Sequence, residues 1–236
     1  VWAHLPETAC APFHTMDVFE QPRQSQFVLD ARHAGRDTLG WIISDTHLKQ
    51  ALLQALLAFD EQIDWRLGTS IASINDEKTH LFVTLSDGDS DTVSMLCIAE
   101  GPLSASRSAL AVEMASRSYE QHAIIATVSC EQPHQQCAMQ RFIDGEPLAF
   151  LPLSDPHHCS IVWSCHSEQA ARRMALDDAE FNAELSAAFF QRLGAVTLCS
   201  ARQMFPLVMR HTQQYCDAHW LLLGDAAHSI HPMAGL

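Results

Sequence analysis

The stretch WLLLGDAAHSIHPMAGL, residues 220–236, decides how the rest of the chain is read. Trp220, Leu221, Leu222 and Leu223 form an unbroken apolar run, the pattern of a short buried strand. Gly224 and Asp225 stand at its carboxyl end, followed by Ala226, Ala227, His228, His231, Pro232 and Gly235. In open α/β sheets, ligands lie outside the carboxyl ends of the strands. A glycine there permits a tight turn, and two alanines leave room beside it. A carboxylate at that point can accept hydrogen bonds from a ribose hydroxyl. An isolated Gly-Asp pair would read only as a turn with a helix-capping aspartate; the whole string carries more.

Composition narrows the field. The 236 residues allow one large domain or two small ones, and 47% hydrophobic content is ordinary for a packed core. A net charge of −14 argues against nucleic-acid partners, which need Lys and Arg to neutralise phosphates, and against a broad electrostatic anchor on anionic lipid. No run of eighteen apolar residues spans a bilayer and the start has no signal-peptide layout, so a cytoplasmic chain with at most peripheral contact with the inner membrane is expected. The eight cysteines, at positions 10, 97, 130, 137, 159, 165, 199 and 216, include no C-x-x-C pair. They read as reduced thiols in a cytosolic chain.

Residues 1–40 are irregular, punctuated by Pro6, Pro12 and Pro22, with short strands expected at 14–19 and 26–30. Residues 44–59 read as an amphipathic helix, capped by Ser44, with Leu48, Leu52, Ala55, Leu56 and Phe59 on one face. His47 on that helix reads as a surface residue. A strand at 81–85, a turn at Asp87–Gly88 and a returning strand at 92–99 follow. Then come four short strands without helices between them, at 122–128, 138–143, 148–153 and 159–164, which predict an antiparallel meander. Helices are expected at 167–176 and 177–193, the second with a capping box at Asp177 and Glu180, a stripe of Phe181, Leu185, Ala188, Phe189 and Leu193, and a stop at Gly194. Residues 195–208 return to strand, and 210–219 are a polar connection. The fold class is α/β (α+β).

Two strings carry a family resemblance. The terminal stretch resembles GDAAH-x-x-x-P-x-x-G-x-G, matching at Gly224, Asp225, Ala226, Ala227, His228, Pro232 and Gly235. About 120 residues upstream, Ala99-Glu100-Gly101-Pro102-Leu103-Ser104-Ala105-Ser106-Arg107 resembles A-D-G-x-x-S-x-x-R, with Glu100 in place of Asp. Both belong to flavoprotein aromatic hydroxylases of the p-hydroxybenzoate hydroxylase fold. Three further strings, YEQHAIIATV at 119–128, FLPLSDPHHCSIVWS at 150–164 and SARQMFPL at 200–207, resemble the FAD-dependent hydroxylases of ubiquinone biosynthesis, the 2-octaprenylphenol hydroxylase-like group.

That resemblance implies an oxidoreductase, a monooxygenase that consumes NAD(P)H and O2 and inserts one oxygen atom into a polyprenylphenol. The cofactor, FAD, would do the hard chemistry. Asp225 is expected to bind the FAD ribose or the adjoining phosphate region, with Gly224 and Ala226 beside it. Gly235 lets the backbone approach the isoalloxazine, and Glu100, Gly101 and Arg107 contribute the second cofactor loop. Pro232, lining the substrate side of the ring, and His231 are the catalytic candidates. A metal site at Asp225, His228 and His231 is set aside, because the neighbours fit a flavin motif better. His157–His158 reads as a solvated loop. Trp163 and Phe150 read either as contacts to an apolar substrate or as core. Partners follow from the same resemblance: O2, the polyprenylphenol and a ubiquinone-biosynthesis protein complex.

The expected organisation is a first substrate-domain segment at 1–40, an FAD-domain segment at 41–112, the antiparallel substrate domain at 113–205 and an FAD-domain segment at 206–236. The family also carries G-x-G-x-x-G on an opening βαβ unit, which this sequence lacks. The chain therefore reads as the middle portion of such an enzyme, expected to bind FAD weakly or not at all by itself. The alternatives are a catalytically silent homologue or fragment acting as an interaction module, and a hydroxylase of another aromatic compound.

Overall fold

The computed structural model describes residues 1–20 and 25–231. The fold is mixed α/β, and the chain divides into two compact units. Of the described residues, one unit comprises those of 1–63 and Glu120–Pro206; the other comprises Asp64–Tyr119 and 207–231. The chain thus changes unit near 63, 119 and 206.

The first unit is built on the expected meander. Cys137–Ile143, Glu146–Pro152, His158–His166 and Met114–Cys130 pair antiparallel, each with its neighbour in that order. Thr15–Glu20 extends the sheet in parallel with Cys137–Ile143, and Ser25–Asp30 pairs antiparallel outside it. Side chains alternate across the strands, so one face gathers Ile124, Ala126, Val128, Leu148, Phe150, Cys159, Ile161 and Trp163. The helices Ser167–Ala175 and Asp178–Ala188 cover that face with Ala170, Phe181 and Leu185. Phe150 and Trp163 are buried there, Phe150 stacked on Phe189 at 4.0 Å, so both belong to the core. Burying a side chain of this size fully contributes roughly 1.5–3 kcal/mol.

The capping box forms as the sequence predicts: Asp177 accepts from the Glu180 N–H and Glu180 accepts from the Asp177 N–H. That helix stops at Ala188, short of the expected 193, because Phe190 and Gln191 adopt left-handed backbone. Arg173 clamps the helices to the sheet, lying 3.8 Å from the Trp163 ring and bonding Glu184 at 2.9 Å.

Other elements depart from expectation. The helix Asp45–Leu57 forms, but of its apolar stripe only Leu48 and Ala55 are half-buried, whereas Leu52, Leu56 and Phe59 are exposed. The opening segment holds a strand pair that no alternation announces, Cys10–Phe13 with Gly40–Ile43. The strand expected at 122–128 begins earlier, at Met114, and the return at 195–208 splits into Val196–Leu198 and Gln203–Thr212.

In the second unit, Ile71–Asp76, Leu81–Leu85 and Ser90–Val93 form an antiparallel sheet. The strand expected at 92–99 is two strands: Ser90–Val93 closes the hairpin, and Leu96–Ile98 pairs in parallel with Trp220–Leu222. Leu81, Val83, Ile98, Trp220, Leu222, Ala226 and Ala227 make a separate, smaller core.

Candidate functional site

The parallel pair brings the two motifs together within the second unit. Its register places Trp220 opposite Leu96, Leu221 opposite Cys97 and Leu222 opposite Ile98, and the Leu223 N–H extends it to the Ile98 carbonyl at 2.8 Å. Both strands run the same way, so the loop at 99–104 and the turn at 224–226 leave the same end of the ladder. That end is where open α/β folds place ligands.

At the first loop, Gly101 has φ +81°, a left-handed conformation natural to glycine, and space where a Cβ would be. Ser104 caps the short helix Ala105–Ala109, its hydroxyl accepting from the Arg107 N–H at 3.1 Å. The Glu100 carboxylate accepts from the Ser104 hydroxyl at 2.7 Å, the Ser106 hydroxyl at 2.6 Å and the Ser106 N–H at 3.0 Å. Desolvation pushes the Glu100 pKa up, but these hydrogen bonds outweigh it and hold the carboxyl below its ordinary value. The extra methylene of Glu over Asp is used within its own loop.

Arg107 is buried rather than solvated. One terminal nitrogen donates to the Ala226 carbonyl at 3.0 Å, the other to the Pro102 carbonyl at 3.1 Å. A single guanidinium thereby ties the upstream loop to the Gly-Asp turn.

At that turn, Gly224 takes φ +56° with no atom within 4 Å of a built Cβ. The side chain of Asp225 is exposed. Ala226 and Ala227 turn their methyls into the core. The Ala227 carbonyl accepts from both the N–H and the hydroxyl of buried Thr212, at 3.1 and 3.0 Å. The two open glycine positions and the exposed carboxylate fit a nucleotide cofactor approaching the backbone closely.

His228 is exposed and paired across the ladder with His211, whose Nδ1 lies 2.6 Å from the Tyr215 hydroxyl. His231 is half-buried, its ring edge-on to Tyr119 at 5.2 Å, and burial lowers its pKa. Pro232 and Gly235 lie outside the described residues. Among the described residues, no three His, Cys, Asp or Glu side chains converge as metal ligands. Sequence reasoning missed Thr212, Tyr215 and Tyr119 as neighbours of the motif. The first two lie in or beside a polar connection without periodicity, and nothing local marks them.

Comparison with known proteins places this arrangement. The FAD-binding domain family matches residues 10–236. The chain belongs to the FAD-binding domain family. Among curated members of similar sequence, it is 31% identical to 3-demethoxyubiquinol 3-hydroxylase of Escherichia coli (strain K12), over all of this chain and 59% of that protein. It is 29% identical to the mitochondrial ubiquinone biosynthesis monooxygenase COQ6 of Mus musculus, over 99% of this chain and 57% of the relative. The chain thus spans less than two thirds of these FAD-binding relatives. Among solved structures, it superposes on Pseudomonas aeruginosa PqsL in complex with 2-aminobenzoylacetate with a TM-score of 0.78 at 19% identity, covering 99% of this chain and 65% of that one. With p-nitrophenol 4-monooxygenase PnpA of Pseudomonas putida DLL-E4 the TM-score is 0.72 at 14% identity, covering 96% and 58%. At such identities the likeness shows the fold of the FAD-binding domain family.

Proposed function

We propose that the protein carrying this chain is an FAD-dependent aromatic-ring hydroxylase of ubiquinone biosynthesis, acting on a polyprenylphenol with NAD(P)H and O2. The observation that carries the reading is the three-residue parallel ladder that brings the Glu100–Arg107 loop and the Gly224–Asp225 turn to one end. Bound FAD would supply the oxygen-activating chemistry; the chain's residues hold, orient and shield.

Asp225 accepts a ribose hydroxyl, and Gly224, Ala226 and Gly101 let the backbone come close. Glu100 and Arg107 act one step back. Glu100 fixes its loop, and Arg107 holds the Ala226 carbonyl so that Asp225 keeps its place. Pro232 and Gly235 line the substrate and ring sides, with His231 entering that segment.

The substrate ring and its isoprenoid tail need apolar surface. The meander supplies it on the face turned away from its helices, where half-buried Val162 and Ile125 lie abreast on neighbouring strands. No helix among the described residues is long and apolar enough to cross a membrane. On this reading a cytoplasmic enzyme meets its lipid-soluble substrate at the membrane surface within a ubiquinone-biosynthesis complex, without a broad electrostatic anchor of its own, which the net charge of −14 disfavours.

The full-length protein, purified with FAD, tests this directly. With an alkylphenol it is expected to consume O2 and NAD(P)H together and to return a ring bearing one added hydroxyl. No phenol-dependent oxygen uptake would sink the proposal. A strain lacking the gene should accumulate an under-hydroxylated quinone precursor, and that precursor's structure identifies the natural ring.

A further inference from the structure

Arg141 is a buried cation that the roles above do not use. It lies on the strand Cys137–Ile143, 8% exposed, between Phe19 and Leu148 on the neighbouring strands. It shares the helix-covered face with Met139, opposite the face offered to the substrate. Arginine is almost never buried this far without a paired anion. Here Nε is buried with no hydrogen-bond partner, and among the described residues nothing forms an ion pair with the guanidinium. Burial pulls its pKa down, and Asp144 opposes that only at a distance. The buried carboxylates of the same face are taken. Asp17 accepts from Arg192 at 2.7 Å and from Gln26 at 2.8 Å, and Glu146 accepts from the His166 N–H at 2.7 Å.

A second feature points to the same atoms. The ring of Phe190 lies over Arg141, its centroid 3.6 Å from the guanidinium carbon. Phe190 and Gln191 stand at φ +53° and +52°, left-handed backbone uncommon for residues other than glycine. Strain of this kind persists where its surroundings over-determine it, and it clusters at ligand clamps. The turn is tied down: the Phe190 N–H donates to the Ala187 carbonyl at 3.0 Å and the Gln191 N–H to the Ser186 carbonyl at 2.9 Å. Stacking covers one face of the guanidinium plane and leaves the donors along its edge unspent.

We propose that Arg141, beneath Phe190, is the binding site for a single carboxylate carried on an apolar body. The edge of a guanidinium matches two carboxylate oxygens. One positive charge in apolar surroundings balances a monoanion and leaves a dianionic phosphate half unbalanced. Phe190, 43% exposed, offers the body of the ligand an apolar surface. With a net charge of −14, the overall field of the chain does not draw anions, so one that binds is held by local contacts. The site does not depend on the hydroxylase reading.

The test titrates the full-length holoenzyme with hexanoate at constant ionic strength in chloride. Calorimetry follows saturation, and NMR follows the side-chain Nε–H of Arg141, whose signal is expected to move downfield as the donor finds an acceptor. Arg141→Met, close in volume and uncharged, and Arg141→Lys, charged without the fork, should both weaken binding by roughly tenfold to a hundredfold. Arg36→Gln, which removes an exposed arginine of the same unit, should leave it unchanged. Phe190→Leu keeps apolar bulk but loses the stack, and should weaken binding less than Arg141→Met does. If both Arg141 variants fail to fold, the wild-type Nε–H signal and Phe190→Leu decide. An Nε–H signal unmoved by hexanoate, inorganic phosphate that binds as tightly, or binding unchanged in Arg141→Met overturns the proposal.

Discussion

The two units hold themselves together by different means. The first buries a continuous apolar face, a cluster of eighteen among the described residues, with Phe150, Phe189, Trp163 and Phe181 at the centre. The second has, among the described residues, a core of seven buried residues, two of them alanines. Its loops are fixed by directed polar contacts instead: Arg107 to Ala226 and Pro102, Thr212 to Ala227, and Glu100 to Ser104 and Ser106. Apolar burial is non-directional and tolerates repacking if volume is kept. Hydrogen bonds to particular carbonyls fix position to within tenths of an ångström. The unit that carries the turn proposed to face the cofactor uses the second kind.

If that contrast is right, damage to the first unit should follow side-chain volume. Phe150→Ala removes a fully buried ring stacked on Phe189 and should cost about 3–5 kcal/mol. Denaturant unfolding followed by Trp163 fluorescence measures it. Phe150→Leu, closer in volume, should cost much less, and equal costs for the two would break the comparison.

Damage to the second unit should follow donor geometry. Arg107→Met keeps much of the bulk but leaves the Ala226 and Pro102 carbonyls without their donor, and should cost about 2 kcal/mol. Arg107→Lys keeps the charge yet cannot reach both carbonyls with one planar fork. It should rescue little, and FAD affinity of the full-length protein should fall in both. Full rescue by lysine would show that charge, not geometry, matters there.

The smallest effect sharpens the contrast through pH. His219 places Nδ1 3.0 Å from the Ser94 carbonyl and Nε2 3.1 Å from the Lys78 carbonyl. A neutral imidazole can donate to only one, so the carbonyl of Ser94 first, and then that of Lys78, raises its pKa above 6.5. A pKa raised on folding adds stability that is complete below the unfolded value of 6.5 and is lost as pH climbs through the folded value. Unfolding midpoints of the second unit should therefore decline over that window. His219→Gln should flatten the decline, and an unchanged slope would remove His219 from the account.

Local grammar made part of each unit legible. The Asp177–Glu180 cap and the four meander strands of the first, and the short strand at Trp220 of the second, each follow from residues within a few positions of one another. What stayed hidden depended on distant partners. Nothing near Thr15–Glu20 says that it lies parallel to Cys137–Ile143. Period alone could not say that the face carrying Phe150 and Trp163 is the helix-covered one, nor that Leu52 and Leu56 stay exposed. At the site, the residue types were readable while their partners were not. Arg107 reads as a solvated or cofactor-facing cation until Ala226, 119 positions away, is seen to accept from it.

Three rungs join Leu96–Ile98 to Trp220–Leu222, and everything between them is an excursion that comes home to its starting rail. Its length carries no positional information, because closing a longer excursion costs only slowly more. Residues added in the meander's outer turns would leave the two loops facing each other as before. A single residue added inside either three-residue rail would turn its side chains over and send its loop off by one step. Tolerance to insertion should therefore be wide in the turns of that excursion and nearly nil over these six residues.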